Sequence, residues 1–179
     1  KASKNEQPFA GVAGFVLPHC PFFAPRDLYE YYYERVDVPQ SDTQEPRAIA
    51  NYKKRRGIHQ PLPAERIRVA RAAYLGLCEY FDRKIGQILD TLDRKGFAEN
   101  TLVVFTADNG CAPYIGIEEL NEQGHYPSYI YRGYKADIWE GGHRVPFLAR
   151  WPNKIEAGTH SGETICLTDL LSTCASIVG

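Results

Sequence analysis

Two oxygen-bearing side chains, Asp108 and Asn109, stand directly after a strongly apolar stretch and are followed by Gly110. A carboxylate and an amide carbonyl are hard ligands of the kind that Ca²⁺ and Mg²⁺ prefer. Glycine at the next position frees the backbone to turn. The same tripeptide is also common in ordinary turns, where short polar side chains bond to the local backbone. Taken alone, it favours a turn over a metal site.

A second candidate segment, residues 133–146, carries one lysine, one histidine, one arginine and three glycines. Such a loop could bring Lys135 and its neighbouring cations close to a bound anion. The alternative is structural: Glu140 forms a salt bridge with Lys135 or Arg144, and His143 is merely solvated. For Glu140 and Arg144 we prefer the structural interpretation.

A third candidate, His19, lies between Pro18 and Pro21 after a short apolar run. The two prolines stiffen the backbone, which suits an imidazole held in place for catalysis. A single histidine at a strand end is more often a structural hydrogen-bonding group. The sequence contains no GxSxG, HExxH, P-loop or GxGxxG motif to decide between these roles.

The elements that must position these residues follow from hydrophobic periodicity. Apolar residues recur every three or four positions over residues 63–95, which predicts a long amphipathic helix with Pro63 in its first turn and Gly96 after its end. The apolar run over residues 101–107 predicts a strand covered on both faces. A helix followed by such a strand indicates a parallel α/β sheet, whose strand ends commonly bind ligands.

Weaker patterns describe the rest of the chain. We expect a buried strand over residues 8–17, a short strand over 146–151 and a long loop over 108–145. The other expected segments are helical turns over 27–33, a surface excursion over 36–62 with a basic run at 53–56, turns over 152–162 and a closing helix over 168–178. A basic run of this kind is usually a solvated face.

Composition limits the class of protein. The 179 residues are 44% hydrophobic and 24% charged with a net charge of −1, which fits one soluble globular domain and disfavours an electrostatic nucleic-acid binder. No apolar run approaches the ~20 residues that span a bilayer, so we expect no membrane insertion. Five scattered cysteines without a CxxC pair leave the redox compartment open. Because methionine is absent throughout, we expect a piece of a longer protein.

Four segments occur in the order seen in one enzyme family, and together they extend over nearly the whole chain. On their evidence the chain resembles the type I, formylglycine-dependent sulfatases, and its second half is most similar to arylsulfatases. The segments are residues 17–22, residues 101–110, residues 133–146 with 150–152, and residues 168–174.

The resemblance implies an α/β fold, an alkaline-phosphatase-like sandwich with a mostly parallel sheet flanked by helices. Residues 1–179 would form the carboxyl-terminal portion of the catalytic domain. By similarity, Asp108 and Asn109 would be metal ligands, normally for one Ca²⁺ and less often Mg²⁺. His19 and Lys135 would contact the sulfate group as catalytic and substrate-binding residues. His125 lies near these motifs and is a further candidate for substrate contact, with a surface role as the equal alternative.

The chain departs from the family at the nucleophile. Sulfatases of this type use a formylglycine made from the Cys or Ser of a C/S-x-P-x-R motif, and this sequence contains none. The nearest string starts at Cys111 but has Ile115 where arginine is required, and it lies on the wrong side of the Asp-Asn-Gly segment. We therefore expect the formylglycine upstream of this chain and no useful turnover by the chain alone.

The implied function is hydrolysis of an aryl or carbohydrate sulfate ester, in which a cation, a lysine and a histidine stabilise charge that grows on the sulfate oxygens. A phosphohydrolase of the same superfamily is one alternative, although the neutral oxygen of Asn109 favours Ca²⁺ over a transition metal. A noncatalytic sulfatase-like binding protein is another. The resemblance suggests an exported, periplasmic or lysosomal location.

Overall fold

The computed structural model describes residues 8–38, 50, 53–55, 57, 63–113, 117–122 and 124–179. The chain divides into two units. The larger is Leu17–Ile155, which holds all the candidate site residues, and the smaller combines Lys1–Val16 with Glu156–Gly179. None of the helices in this described part is both long enough and apolar enough to cross a membrane.

The predicted long helix is confirmed. The first helix in the described part of the chain, α1, covers Arg26–Tyr33. The predicted long helix is α2, which covers Ala64–Arg94 and has Pro63 directly before its first residue. Gly96 adopts a left-handed conformation with a φ of 72°. The Phe97 amide then donates to a carbonyl in the last turn of α2 (2.9 Å), which gives the helix end a partner for its free carbonyl groups.

Helix α1 packs closely against the first half of α2. Leu28 is 3% exposed, and the facing part of α2 buries Ala72, Ala73, Gly76 and Leu77. A Cβ added at Gly76 would lie 2.9 Å from the Cβ of Ala24, so the absence of a side chain there permits the approach. The contact therefore depends on small residues of α2 as well as on Leu77.

Polar groups join the same two helices at their exposed edge. The Tyr32 hydroxyl donates to a Glu79 carboxylate oxygen (2.8 Å), and Arg83 bonds to the other oxygen (2.6 Å). Hydrogen bonds from Tyr32 and Arg83 lower the pKa of Glu79, and the bond to Glu79 raises the pKa of Tyr32. Asp27 of α1 lies 3.7 Å from Arg83 and extends the charged group across both helices.

Both strands predicted in the second half of the chain are present. Strand β1, Val103–Thr106, pairs antiparallel with β2, Phe147–Arg150, and Val104 lies opposite Ala149. The described residues contain this one antiparallel strand pair and no parallel pair, so the mostly parallel sheet stays a prediction. The expectation that β1 is covered on both faces is wrong, because Phe105 is 37% exposed.

Some expected elements differ in the structure. Residues 8–16 form no strand and are exposed, so the buried strand expected over residues 8–17 is wrong. The predicted loop after β1 contains two short helices, α3 at Ile117–Glu122 and α4 at Glu140–His143. Most of the expected excursion over residues 36–62 lies outside the described residues, although Lys54 and Arg55 of its basic run are exposed.

The smaller unit contains the predicted closing helix, α5, Asp169–Val178. The Asp169 carboxylate accepts a hydrogen bond from the Cys166 amide (2.8 Å), and the Ser172 hydroxyl donates to the Asp169 carbonyl. The side chain of the first helical residue thus fixes the turn that leads into α5.

Candidate functional site

Two backbone hydrogen bonds bring the predicted oxygen ligands and the predicted cation loop together. The Gly110 amide, directly after Asn109, donates to the Gly142 carbonyl (2.8 Å). The Lys135 amide donates to the Cys111 carbonyl at the same distance. Segments that are more than twenty residues apart in the sequence therefore lie side by side at the carboxyl end of β1.

This approach requires residues without side chains. Gly142 is buried, and a Cβ added to it would collide with the carbonyl oxygens of Asp137 and Tyr134. A Cβ at Gly110 would collide with the carbonyl of Gly141. Gly110 and Gly142, which the sequence places in a predicted loop, are therefore the residues through which the two segments contact each other.

The side chains of the oxygen pair are available to a cation. The exposed Asp108 carboxylate has no hydrogen-bond or ion-pair partner among the described residues. Asn109 is half-buried, and its Nδ2 donates to the Gly110 carbonyl (2.9 Å), which leaves Oδ1 as the free acceptor. This donor set fits part of a Ca²⁺ shell, which takes six to eight oxygen ligands. Within the described residues, no group of three or more His, Cys, Asp or Glu side chains could hold a metal ion, so other ligands would have to come from elsewhere.

The cations of the loop have separate roles. Arg144 bonds to the Glu140 carboxylate (2.7 Å) and lies over the Tyr131 ring (4.6 Å), as the structural interpretation predicted. The bond to Glu140 raises the pKa of Arg144. Lys135 is exposed and has no carboxylate partner in the described part of the chain. Its ammonium group is therefore free to meet an external anion.

The structure does not join His19 or His125 to these groups. His19 is exposed and its Nδ1 contacts the Cys20 carbonyl oxygen (2.7 Å), between the cis peptide bonds that precede Pro18 and Pro21. His125 is exposed too. Among the described residues, neither imidazole forms a hydrogen bond or ion pair with Asp108, Asn109 or Lys135, so both assignments stay predictions.

The string that begins at Cys111 also has a clear structural setting. Cys111 is half-buried, and burial raises the pKa of its thiol, which keeps it protonated near neutral pH. Its carbonyl is occupied by the Lys135 amide. Neither feature tests the interpretation that this cysteine is not the family's nucleophile, so that interpretation stays a prediction.

Sequence reasoning missed a cavity beside the oxygen pair. It has a volume of about 210 Å³ and opens between the segment after β1 and the tyrosine-rich segment after α3. The Ser128 Oγ is buried and has no hydrogen-bond partner in the described part of the protein. The repeated tyrosines were the available signal in the sequence. The lining residues are Gly110, Cys111, Tyr126, Pro127, Ser128, Tyr129, Tyr131, Gly141 and Arg144.

Comparison with known proteins identifies the family. The Sulfatase family model matches residues 1–179, so the chain belongs to the sulfatase family. It is 43% identical to steryl-sulfatase of Rattus norvegicus over 110 residues, which are 60% of this chain and 18% of that protein. It is 44% identical to N-acetylgalactosamine-6-O-sulfatase of Bacteroides thetaiotaomicron over 82 residues, 42% of this chain and 15% of that protein.

The fold is similar to that of a solved structure, Ps i-CgsB in complex with k-i-k-neocarrahexaose. The TM-score is 0.55 with 22% sequence identity, over 90% of this chain and 27% of that one. The chain spans roughly a fifth or less of the length of these two curated relatives.

Proposed function

We propose that the complete protein hydrolyses sulfate esters, and that this chain supplies part of the metal and sulfate site. One observation carries the proposal: the Asp108–Asn109 pair and the Lys135 loop, two of the segments that resemble sulfatases, are bound together through Gly110 and Cys111. Membership of the sulfatase family supports hydrolysis of sulfate esters in general. The expected substrate class is an aryl or carbohydrate sulfate.

In this proposal Asp108 and Asn109 hold one Ca²⁺, with further ligands from outside the described residues. A bound divalent cation would act as a Lewis acid that polarises a sulfate oxygen. The ammonium group of Lys135 would pair with the negative charge that develops on the sulfate oxygens as the ester bond breaks. His19 would donate toward the leaving oxygen, and His125 would contact the substrate. The formylglycine nucleophile would lie outside this chain, since the sequence lacks its motif.

The test uses the complete protein that contains this chain. Asp108→Asn replaces the carboxylate with a neutral amide of the same shape, and we expect it to raise the Ca²⁺ concentration required for 4-nitrophenyl sulfate hydrolysis by at least tenfold. Ca²⁺ binding measured by calorimetry should weaken in parallel. Asp93→Asn, at an exposed aspartate in the last turn of α2, is the matched control.

Three results would decide against the proposal. Unchanged Ca²⁺ dependence in Asp108→Asn would remove this residue from the metal site. Hydrolysis of 4-nitrophenyl phosphate in preference to the sulfate would favour the phosphohydrolase alternative, and failure to hydrolyse either ester would favour the noncatalytic one.

A further inference from the structure

Helix α2 holds the proline segment, residues 17–24, at two neighbouring positions. The Phe22 ring meets the Tyr74 ring edge to face, with the ring centroids 5.7 Å apart and the ring planes at 76°. Ala24 lies against Gly76, where an added Cβ would be only 2.9 Å from the Ala24 Cβ. One aromatic pair and one close approach therefore attach this segment to α2.

The imidazole of His19 is tied to the backbone of the proline segment. Its Nδ1 lies 2.7 Å from the Cys20 carbonyl oxygen, so Nδ1 carries the proton of this hydrogen bond. Nε2 is then the ring nitrogen left to meet a substrate. Pro18 and Pro21 each fix one backbone φ, which leaves fewer free rotations between the imidazole and the Phe22 ring. The position of Nε2 therefore follows the contact that Phe22 makes.

The same face of α2 also contacts the strand that leads to the oxygen pair. Phe81 follows Tyr74 by seven residues, or two helical turns, and so lies on the same face about 10.5 Å further along α2. The Phe81 ring lies against the Phe105 ring of β1, with the centroids 6.2 Å apart. Strand β1 ends at Thr106, two residues before Asp108. One helix thus connects the proline segment to the oxygen pair.

We propose that Tyr74 is a positioning residue: it holds the Phe22 ring and thereby places His19 relative to the oxygen pair. The proposal rests on the proposed sulfatase function, because it takes His19 as the group that donates toward the leaving oxygen. A displacement of about 1 Å at a reacting group can lower a rate by about 100-fold, so a contact remote from the reacting atoms can control the step. Tyr74 itself touches no substrate in this proposal.

The aromatic contact lies at the surface, which allows its removal without a change in the core. Phe22 and Tyr74 are 41% and 43% exposed. The buried side chains of Leu28 and Leu77, which pack α1 and α2 together, are not altered by substitutions in this pair. A loss of activity in Tyr74 variants should therefore not come from unfolding.

The kinetic test compares 4-nitrophenyl sulfate with phenyl sulfate as substrates of the complete protein. Phenolate is the more basic leaving group and depends more on proton donation, so the ratio of the two kcat/KM values reports on the donor. Tyr74→Leu and Phe22→Leu each remove one ring and should raise the ratio of 4-nitrophenyl to phenyl sulfate about tenfold, mainly through kcat for phenyl sulfate. Tyr74→Phe keeps the ring, and Tyr80→Leu alters a tyrosine of α2 whose ring contacts Lys84, so both should leave the ratio within about twofold.

A double variant tests whether Tyr74 acts through His19. His19→Gln alone should raise the ratio by at least about tenfold. Adding Tyr74→Leu to it should produce no further change, because the donor is already absent. Equal losses for both esters in Tyr74→Leu, or additive effects in the double variant, would overturn the proposal.

Histidine NMR measures the placement of His19 without turnover. In the complete protein with isotope-labelled histidine, the His19 Cε1 resonance is identified by its loss in His19→Gln. It should move in Tyr74→Leu and stay in place in Tyr74→Phe and Tyr80→Leu. If it moves although the parent protein hydrolyses neither ester, the positioning contact is supported and only the sulfatase proposal fails. An unmoved resonance in Tyr74→Leu would show that Tyr74 does not position His19.

Discussion

At the scale of single residues, Lys135 is the side chain whose removal tests the sulfate site most directly. Its ammonium group has no carboxylate partner among the described residues, because Glu140 is occupied by Arg144. If it pairs with charge that develops during ester cleavage, Lys135→Ala should lower kcat of the complete protein by about 100- to 1,000-fold. Turnover of 4-nitrophenyl sulfate under saturating Ca²⁺ measures this.

Lys154→Ala provides the control, since Lys154 is an exposed lysine in the turn after β2. A decrease of less than threefold for Lys135→Ala would show that this lysine is a solvated surface residue. A large increase in KM with unchanged kcat would assign it to ground-state binding rather than to stabilisation of the transition state.

At this scale, the sequence can predict a functional residue only when neighbouring residues in the sequence form a recognisable motif. Asp108, Asn109 and Lys135 are predicted as site residues because the segments around them resemble those of a known family. The cavity beside the oxygen pair was missed because it is lined by segments that are distant in sequence. Ser128 stands between Pro127 and Tyr129, and these neighbours give no sign that its hydroxyl is buried.

At the scale of elements, the glycine-mediated contact between the two site segments predicts a coupling of stability to activity. Gly142→Ala places a methyl group against the carbonyl oxygens of Asp137 and Tyr134 and should disrupt the hydrogen bond to Gly110. We expect a loss of about 1–3 kcal/mol in the free energy of unfolding. Urea unfolding and 4-nitrophenyl sulfate turnover of the complete protein should decline together.

Gly86→Ala is the matched control, because a Cβ there meets no atom within 4 Å and the position lies inside α2. Alanine has the higher helix propensity, so this variant should be more stable by roughly 0.5–1 kcal/mol and should keep full activity. Retention of wild-type stability and activity by Gly142→Ala would show that the two segments can separate without consequence.

The contact between α1 and α2 predicts that the stability of the protein decreases at both acidic and alkaline pH. The Tyr32–Glu79 hydrogen bond lowers the pKa of Glu79 from its ordinary 4.5 and raises that of Tyr32 from its ordinary 10.0. The contribution of Glu79 to stability is therefore present above pH 4.5 and is lost as the pH falls through its lowered pKa. The contribution of Tyr32 is present below pH 10 and is lost as the pH rises through its raised pKa.

Thermal unfolding of the complete protein from pH 3 to pH 11 would measure this dependence. The Tm difference between the parent protein and Tyr32→Phe should be constant between about pH 6 and pH 9 and should shrink outside both limits. Tyr29→Phe is the comparison variant, because the Tyr29 hydroxyl lies on the same helix as Tyr32 and has no hydrogen-bond partner in the described part of the chain. A difference that does not vary with pH would mean that Tyr32 acts through packing alone.

The elements also show why some predictions succeeded. The ends of α2 were predicted because proline at one end and glycine at the other are local signals. The strand expected over residues 8–17 was wrong because an apolar run becomes a strand only when another segment bonds to it. For the same reason the mostly parallel sheet stays a prediction, because the described strand that pairs with β1 is the antiparallel strand β2.

At the scale of the whole molecule, the chain holds only part of the site that we propose for sulfate hydrolysis. It carries Asp108, Asn109 and Lys135 but no C/S-x-P-x-R motif. Only seven hydrophobic residues are buried among those the structure describes. Large apolar side chains elsewhere in the described part are exposed, among them Phe23 (81%) and Leu171 (81%). That residues 1–179 form the carboxyl-terminal portion of a catalytic domain stays a prediction.

We therefore expect the isolated 179-residue chain to be inactive and loosely packed. It should hydrolyse no 4-nitrophenyl sulfate at any Ca²⁺ concentration, because no residue in it can be converted to the expected nucleophile. Its exposed apolar surface should bind the dye ANS, and its thermal unfolding should be broad, since few apolar side chains are removed from water. The complete protein, measured beside it, should unfold cooperatively without binding the dye. Sharp unfolding of the isolated chain without ANS binding would show that these residues form an independent domain.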